Sequence, residues 1–461
     1  MDRIKVLFIL VSAVILIGSF WYLYDFASRS DLRDYIGDEV WYVPASRNVL
    51  HRLDVTLHYV NETTNAAGIN VIFSNTSVRV KYQYDVERIA LRYNATHEME
   101  YLKFPGVYFE IPVDNVEGFL NALSGEIPAD AYYVVPGYRY PDKENIQNYL
   151  NTEHPFLGKD LIMLGMLAED KPINWRLPGI VAFVLIGILV VIATYRVSGS
   201  YLAAFIALLF AVADPTLEAT AVTAMLDIHV ALFVALFTAL MIYEKREAAG
   251  FAVGLAAAAK LSGAFAYPIL LTQALRKEQK FGRFLLSTVI LPGIGFLISN
   301  VPGIMVVGFR TWLNDFLSSF RWHLSNKGGH PAASPVWEWF VNHKAFPFHY
   351  RPDIYAQTDP FLLLSMVLFI LALPWLHRRR GKLVVPFGIF WITVGFFVLQ
   401  YALGGTTQFS FYATVLVPPA AIVMGAALRE LLRWEAFTES LWLYLEWLFE
   451  IKDRIRLRLG R

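Results

Sequence analysis

Two adjacent carboxylates follow the first apolar segment of the chain and could carry out acid–base chemistry. They are Asp38 and Glu39, in the stretch Gly37-Asp38-Glu39-Val40-Trp41-Tyr42. Mutual repulsion and partial burial would raise the pKa of one carboxyl towards the working pH, as a general base requires. The pair could instead begin a helix and complement its dipole. Both members are therefore candidate catalytic residues.

Three further charged residues lie in or beside apolar segments. Asp227 stands inside one such run, about two turns from its outer end, where a carboxylate is costly and is usually functional or paired. Lys260 interrupts a second run, and Arg176 begins a third. An ammonium or guanidinium group at this level could bind a phosphate. Each of the three could instead be an interfacial residue whose charged end reaches the membrane surface.

Two loops between apolar runs contain histidine, proline and tryptophan. The first includes His154-Pro155-Phe156-Leu157-Gly158-Lys159, and the second runs from His323 through His330 to Trp339. Such residues at a membrane interface usually form an aromatic belt and tight turns. No glycine-rich phosphate loop, HExxH motif or nucleophile elbow occurs, so a soluble nucleotide site is unsupported. Neither a metal nor a cofactor is predicted.

The composition places these residues in a membrane protein. Of the 461 residues, 56% are hydrophobic and 17% are charged, and the mean hydropathy is +0.43. These values exclude a soluble multidomain enzyme. Because 40 basic residues nearly balance 39 acidic residues, no overall field attracts nucleic acid, and no nucleic-acid partner is predicted. The absence of cysteine removes thiolate chemistry.

The apolar runs define the topology of the chain. They cover residues 6–24, 177–195, 201–213, 221–243, 248–275, 284–307, 360–376, 383–403 and 410–428. Arg3 and Lys5 place the N-terminus in the cytoplasm, so residues 25–176 lie outside. Splitting the run 248–275 at Lys260 gives about ten spans and puts every basic cluster and the C-terminus inside. Short broken helices need protein or a wet cavity to satisfy their backbone, so this break indicates a site.

Two segments outside the apolar runs have their own character. Residues 54–147 contain alternating or β-branched stretches at 54–60, 69–74, 78–86, 88–94, 106–113 and 132–138, which predict a small β-rich extracytoplasmic domain inserted in the first outer loop. Sequons at Asn61, Asn75 and Asn94 agree with an outer location. The tail, residues 429–461, mixes aromatic residues with charges and predicts an amphipathic helix on the inner membrane surface, with membrane lipid as its partner.

The ordered motifs resemble those of the dolichyl-phosphate-mannose protein mannosyltransferases, within the C-type superfamily of membrane glycosyltransferases. The match covers residues 31 to about 340 and, more loosely, Phe411-Tyr412 to Pro419. Its motifs are Asp38-Glu39, His154-Pro155-Phe156-Leu157-Gly158-Lys159, Trp175-Arg176-Leu177-Pro178, Asp214-Pro215, Met225-Leu226-Asp227, Lys260-x-Ser262-Gly263 and the stretch from His330 to Trp339. Their order and membrane placement carry the resemblance.

The resemblance implies a polytopic helical fold with residues 1–53 as the first span and acidic loop, and 148–428 as the transferase module with an outer loop at 308–359. It also implies inverting transfer of a mannose-like sugar from a polyprenyl- or dolichyl-phosphate carrier to an acceptor hydroxyl on the extracytoplasmic face. By position, Asp38 or Glu39 is the base, and Arg176 and Lys260 bind the donor phosphate. Substrate-site candidates by the same comparison are His154, Lys159, Asp227, His323 and His330.

Departures from the family concern the outer surface. Phe156 replaces the second proline of its motif, Leu261 replaces a tryptophan, and the inserted domain separates the acidic pair from His154. These features favour an archaeal or bacterial-type member. They leave open whether the acceptor is a protein, a lipid-linked glycan or another lipid. A non-enzymatic lipid or solute transporter is the alternative class, although internal repeats typical of transporters are missing.

Overall fold

The computed structural model describes residues 3–276, 280–325 and 329–459, and these residues are mostly helical. In chain order the helices are α1 (Arg3–Ala27), α2 (Glu39–Arg52), α3 (Thr76–Arg92), α4 (Val116–Glu126), α5 (Leu157–Met166), α6 (Pro172–Ser198), α7 (Tyr201–Val212), α8 (Pro215–Ala221), α9 (Leu226–Ile242), α10 (Arg246–Ala259), α11 (Tyr267–Arg276), α12 (Phe281–Leu285), α13 (Leu291–Ile298), α14 (Val301–Val307), α15 (Phe309–Ser325), α16 (Val336–Trp339), α17 (Pro360–Leu371), α18 (Leu373–Arg379), α19 (Val384–Ala402), α20 (Val417–Leu431) and α21 (Trp434–Leu459). The strands are β1 (Val60–Asn61), β2 (Ala66–Phe73), β3 (His97–Glu100), β4 (Gly106–Pro112), β5 (Tyr132–Pro136), β6 (Phe346–Tyr350) and β7 (Asp353–Ala356).

Apolar helices long enough to cross a membrane occur throughout the described residues. Five stretches qualify by length and composition: Arg3–Ala27, Pro172–Ser198, Phe281–Ile298, Gly381–Ala402 and Ser410–Glu430. Two bent pairs pass the same test together: α7 with α8, which bend by 60°, and α17 with α18, which bend by 83°. Helix α9 is a shorter apolar helix. The predicted class, a polytopic helical membrane protein, is confirmed.

The break at Lys260 separates two short helices that run in opposite directions. Glu247 pairs with Arg283 at 2.5 Å, and a Cβ on Gly254 would lie 2.2 Å from the carbonyl oxygen of Pro292. The later residue of α10, Gly254, contacts the later partner, Pro292. Helix α10 therefore runs parallel to α12 and α13. The chain must therefore return between them, through the 3₁₀ segment Leu261–Ala266 and α11. This reversal agrees with the predicted break at Lys260. Neither α10 nor α11 is among the helices that could cross a membrane by length and composition, and the described residues contain five such spans, or seven with the bent pairs, so the predicted double crossing and the total of about ten spans stay predictions.

The inserted domain is an α+β unit. Its sheet has the order β1-β2-β4-β3, with β5 also paired to β2, and all pairs are antiparallel. Buried Ile69, Val71 and Phe109 meet the apolar faces of α3 and α4 in one core. A small sheet domain is present as predicted, but the strands expected at residues 78–86 and 88–94 are wrong, and of the strand expected at 54–60 only Val60 is in a strand. Residues 78–92 belong to α3, which Asn75 caps by accepting a hydrogen bond from the amide of Val78 at 3.0 Å.

Helix α2 joins this domain to the membrane helices through a buried charge network. The Arg47 guanidinium donates to both carboxylate oxygens of Asp170, at 2.7 and 3.1 Å, and both side chains are fully buried. Asp170 also accepts hydrogen bonds from Trp175 Nε1 at 2.8 Å and from the amide of Tyr138 at 3.0 Å. These contacts fix α2, which follows Asp38, against both α6 and the sheet domain.

Replacement of Asp170 by Asn should destabilise the protein by about 3–5 kcal/mol, because it leaves the buried Arg47 charge without its partner. Thermal unfolding in detergent would measure this loss. The matched control is Asp85→Asn, since Asp85 forms an exposed pair with Arg88 at 3.0 Å and should change stability by less than about 1 kcal/mol. Equal unfolding temperatures for the two variants would show that the buried Arg47–Asp170 pair stabilises the protein no more than the exposed Arg88–Asp85 pair does.

Candidate active site

Glu39 is a structural acceptor at the start of α2. Its side chain is fully buried, and its Oε1 and Oε2 atoms accept hydrogen bonds from Arg176 Nε and Nη2, each at 2.8 Å. The amides of Ile36 and Ala224 donate to the same carboxylate at 2.9 and 2.7 Å. Four donors therefore occupy this group, which ties the acidic loop to the start of α9.

Arg176 forms hydrogen bonds with the backbone of the segment that leads to the acidic pair. Besides its two bonds to Glu39, it donates to the carbonyl oxygens of Ala27 at 3.2 Å, Leu32 at 2.6 Å and Asp34 at 2.8 Å. A guanidinium group has five N–H donors, so protein acceptors take all of them. A lipid phosphate would have to displace one of these acceptors to reach this side chain.

Asp38 differs from its neighbour because it is not saturated by backbone donors. It precedes α2 and is half-buried, and the Tyr42 hydroxyl lies 3.5 Å from Oδ2, a long hydrogen bond. Burial raises the pKa of Asp38 to about 6; the Lys260 charge opposes this rise and the Asp227 charge adds to it. The chain thus brings one carboxyl with a near-neutral pKa next to the residues of a distant helix break.

Asp227 and Lys260 form the second half of the site. The Lys260 ammonium lies 3.0 Å from each carboxylate oxygen of Asp227, and both side chains are nearly fully buried. The same ammonium stands 4.1 Å from the ring centre of Tyr412 and 5.3 Å from that of Phe411. Because α9 begins only at Leu226, Asp227 is in its first turn, and not two turns inside the span as the sequence had predicted.

An apolar cavity of about 540 Å³ opens beside this pair. Lys260 and Tyr412 line it, together with Gln400. Aromatic rings from several helices form much of the rest, among them Phe265, Phe296, Phe316, Phe320, Phe396 and Phe397. The cavity therefore combines hydrocarbon surface with a cation, which suits an amphiphile that has an anionic head and an apolar chain.

The loop that contains His154 is held by a buried lysine. The Lys159 ammonium donates to the carbonyl oxygens of Asn151 at 2.5 Å and His154 at 3.0 Å, and burial lowers the pKa of Lys159 to about 7. The ring of His154 packs edge-on against Tyr42, with centroids 6.0 Å apart. Lys159 thus fixes the loop. His154 contacts Tyr42, whose hydroxyl in turn contacts Asp38.

The two later histidines are placed differently. His330 stacks on Phe346, with centroids 6.0 Å apart, and lies close enough to Asp38 for its charge to lower the pKa of that carboxyl. The side chain of His323 lies outside the part of the chain that can be described. Among the described residues, no group of three or more histidine, cysteine or acidic side chains could hold a metal ion.

Sequence reasoning missed two residues that complete the site. Tyr42 contacts both Asp38 and His154, and Tyr412 covers Lys260. The position of Tyr42, four residues after Asp38 and thus on the same face of a helix, was an available signal. Tyr412 lies in the stretch Phe411-Tyr412 that loosely resembles the family, but its contact with Lys260 could not be predicted because it depends on the tertiary fold.

Structures of ArnT from Cupriavidus metallidurans have a similar fold. The form bound to undecaprenyl phosphate matches with a TM-score of 0.50 and 16% identity, over 95% of this chain and 62% of ArnT. The apo form gives a TM-score of 0.50 and 15% identity, over 93% and 61%. This likeness shows that the chain shares the fold of ArnT, and it does not show membership of the narrower protein mannosyltransferase family. No protein family profile and no curated protein matches the sequence.

Proposed function

We propose that this protein transfers a sugar from a polyprenyl-phosphate carrier to an acceptor hydroxyl on the outer face of the membrane. The observation that carries the proposal is the apolar cavity lined by Lys260, whose ammonium pairs with Asp227. Asp38 adds a carboxyl with a pKa of about 6 next to this pair. The ArnT-like fold supports the same function, since one of the matching ArnT structures contains undecaprenyl phosphate.

In this mechanism the prenyl chain lies against the aromatic side chains of the cavity, and the donor phosphate binds Lys260. The acceptor oxygen attacks C1 of the sugar while its proton passes to Asp38. As the new bond forms, the bond between C1 and the phosphate oxygen breaks on the opposite face, so the anomeric configuration inverts and the phosphate leaves with the bonding electrons. Lys260 stabilises the negative charge that grows on this leaving group.

The other charged residues have supporting roles in the proposal. Asp227 orients the Lys260 ammonium from 3.0 Å, and Tyr412 covers it. Glu39 and Arg176 hold the acidic loop through their buried pair, so we assign them positioning roles in place of the base and phosphate-binding roles inferred from the sequence. His154 and His330 lie around Asp38, where the acceptor would arrive.

The acceptor enters from the outer side, next to the inserted domain. This orientation follows from Arg3 and Lys5, which favour a cytoplasmic N-terminus. The motifs shared with the protein mannosyltransferases make mannose the first donor sugar to test. A lipid-linked glycan, a lipid and a protein hydroxyl are the acceptors to compare.

The direct test uses the purified full-length protein in nanodiscs with radiolabelled polyprenyl-phosphate mannose. Candidate acceptors are supplied as lipid-linked glycans, lipids and Ser/Thr peptides, and mass spectrometry identifies the product. We expect a glycosylated acceptor with inverted anomeric configuration, together with released polyprenyl phosphate. If none of several donor sugars were transferred and the intact carrier lipid were only moved across the bilayer, the result would identify a transporter and contradict the proposed transferase activity.

A further inference from the structure

A β-hairpin in the loop at 308–359 lies against the turn that contains Asp38. Strands β6 and β7 form this hairpin, and the ring of Phe348, on β6, packs on Gly37. A Cβ atom on Gly37 would lie 2.6 Å from Cδ1 of Phe348. Carbon atoms in contact are normally at least about 3.5 Å apart, so this packing leaves no room for a side chain next to Asp38.

Gly37 also sets the direction of the chain at this point. The amide of Glu39 donates to the carbonyl oxygen of Ile36 at 3.0 Å and closes a turn in which Gly37 and Asp38 are the two central residues. Gly37 has a φ of +52°, and Asp38 has a φ of −78°. A positive φ at the first central position favours glycine, because a side chain would be strained there. The direction of Asp38 therefore depends on how the backbone fits beside the hairpin.

Phe348 is held in place by its own neighbours. The residue is buried, and its ring centre lies 5.2 Å from that of Phe346 and 5.6 Å from that of Phe411. Ser410 links both strands of the hairpin, because its hydroxyl accepts from the amide of Phe346 and donates to the carbonyl oxygen of Ala356, each at 2.8 Å. Closely packed side chains transmit a displacement to their neighbours. The hairpin is therefore a firm support for the turn.

The same group of aromatic rings reaches the cation of the donor site. Phe411 belongs to the 3₁₀ segment Ser410–Leu416, and its ring centre lies 5.3 Å from the Lys260 ammonium. Phe348 thus contacts the turn of Asp38 on one side and a ring beside Lys260 on the other. A continuous set of contacts joins the proposed base to the proposed phosphate ligand.

We propose that Phe348 is a positioning residue that sets the distance between Asp38 and Lys260. This inference rests on the proposed transferase function, in which Asp38 takes the acceptor proton while Lys260 binds the donor phosphate. Attack on C1 needs the acceptor oxygen and the departing phosphate on opposite faces of the sugar, so the base and the cation must be held a fixed distance apart. Phe348 keeps this distance through its contacts with Gly37 and Phe411.

The kinetic test adds a methyl group at the turn and then makes room for it. Gly37→Ala should lower kcat by about 10- to 100-fold, because the new Cβ atom displaces the turn from Phe348 and misplaces Asp38. The KM for the carrier should stay near the wild-type value, since Lys260 keeps its contacts. Phe348→Val removes the clashing ring edge and keeps a residue that suits a strand. The double variant Gly37→Ala/Phe348→Val should therefore have a kcat at least about fivefold higher than Gly37→Ala.

Gly199→Ala is the matched control for backbone strain. Gly199 follows α6 and also has a positive φ, +67°, but a Cβ atom there would meet nothing within 4 Å. This variant should keep wild-type kinetics. Wild-type kcat in Gly37→Ala, an equal loss in Gly199→Ala, or a double variant no faster than Gly37→Ala would each overturn the role of Phe348.

A second measurement is independent of sugar transfer. Because the native chain has no cysteine, the thiol of an Asp38→Cys variant can be labelled selectively with a charged methanethiosulfonate reagent. Adding Phe348→Val should raise its labelling rate by about fivefold or more, since the turn is no longer supported and the thiol becomes accessible. Labelling of the exposed control Asn65→Cys should not respond to Phe348→Val.

The labelling rates also decide the inference where the kinetics cannot. An unchanged rate for Asp38→Cys would show that Phe348 does not hold the turn, and this readout serves equally if Gly37→Ala does not fold. If the wild type transferred no sugar, the proposed function would fail. Faster labelling with Phe348→Val would then still support Phe348 as the residue that holds position 38.

Discussion

Asp38→Asn should lower turnover by about 10²- to 10⁴-fold, the usual contribution of a general base. The amide keeps the size of the side chain but cannot accept the acceptor's proton. Donor affinity should stay close to the wild-type value, because the phosphate binds Lys260 in our proposal. The protein should also remain folded, since burial already disfavours the charged form of this carboxyl. Single-turnover kinetics with labelled carrier would separate the chemical step from binding.

Glu39→Gln is the control that separates neighbouring carboxylates. Its carboxylate accepts four hydrogen bonds, two of them from the buried Arg176, so the amide variant should lose stability. Any loss of activity should then follow the folded fraction. If Glu39→Gln were fully folded and inactive while Asp38→Asn kept wild-type turnover, the roles of the two residues would be exchanged.

The same carboxyl sets the expected pH dependence. Burial raises the pKa of Asp38 from an ordinary value of 3.8 to about 6, so the fraction in the active, ionised form falls as the pH drops through 6. Values of kcat/KM for the wild type should therefore decline below about pH 6. The residual rate of Asp38→Asn should lack this step. A decline that persists in the variant would assign the pKa to another group.

The spans could be predicted because hydrophobicity and charge act locally along the chain. Lys260 was predicted to interrupt an apolar run, and the structure places it between α10 and a 3₁₀ segment. By contrast, α3 was misread, because its alternating valines and tyrosines resemble a strand while its buried Val86, Ile89 and Ala90 follow helical spacing. The cap at Asn75 and the core beneath α3 decide in favour of the helix.

The site was predicted in outline but not in its pairings. Asp38, Asp227 and Lys260 were each singled out, because placing an ionisable side chain in or beside the membrane costs free energy and such residues are usually paired or functional. Sequence position alone could not say that Arg176 would pair with Glu39, 137 residues away, and thus be occupied. Nor could it pair Lys260 with Asp227. Those partnerships depend on which helix ends meet, and this is set by tertiary packing.

Lys260→Met should abolish most transfer, with a loss of about 10²- to 10³-fold, the range seen when one transition-state charge stabiliser is removed. The single variant should also unfold more easily, because Asp227 would remain buried and charged without its partner. Low activity could then have either cause. Thermal unfolding and initial rates, measured on the same preparation, would record both effects.

The double variant Lys260→Met/Asp227→Asn separates stability from catalysis. It removes both charges of the buried pair, so the folded state should regain much of the stability lost in Lys260→Met. Transfer should stay low, since no cation would then face the leaving phosphate. Arg283→Gln, which breaks an exposed pair with Glu247, is the matched control and should change neither property appreciably. Recovery of turnover with stability in the double variant would reduce Lys260 to a structural partner of Asp227 and move the phosphate site elsewhere along the cavity.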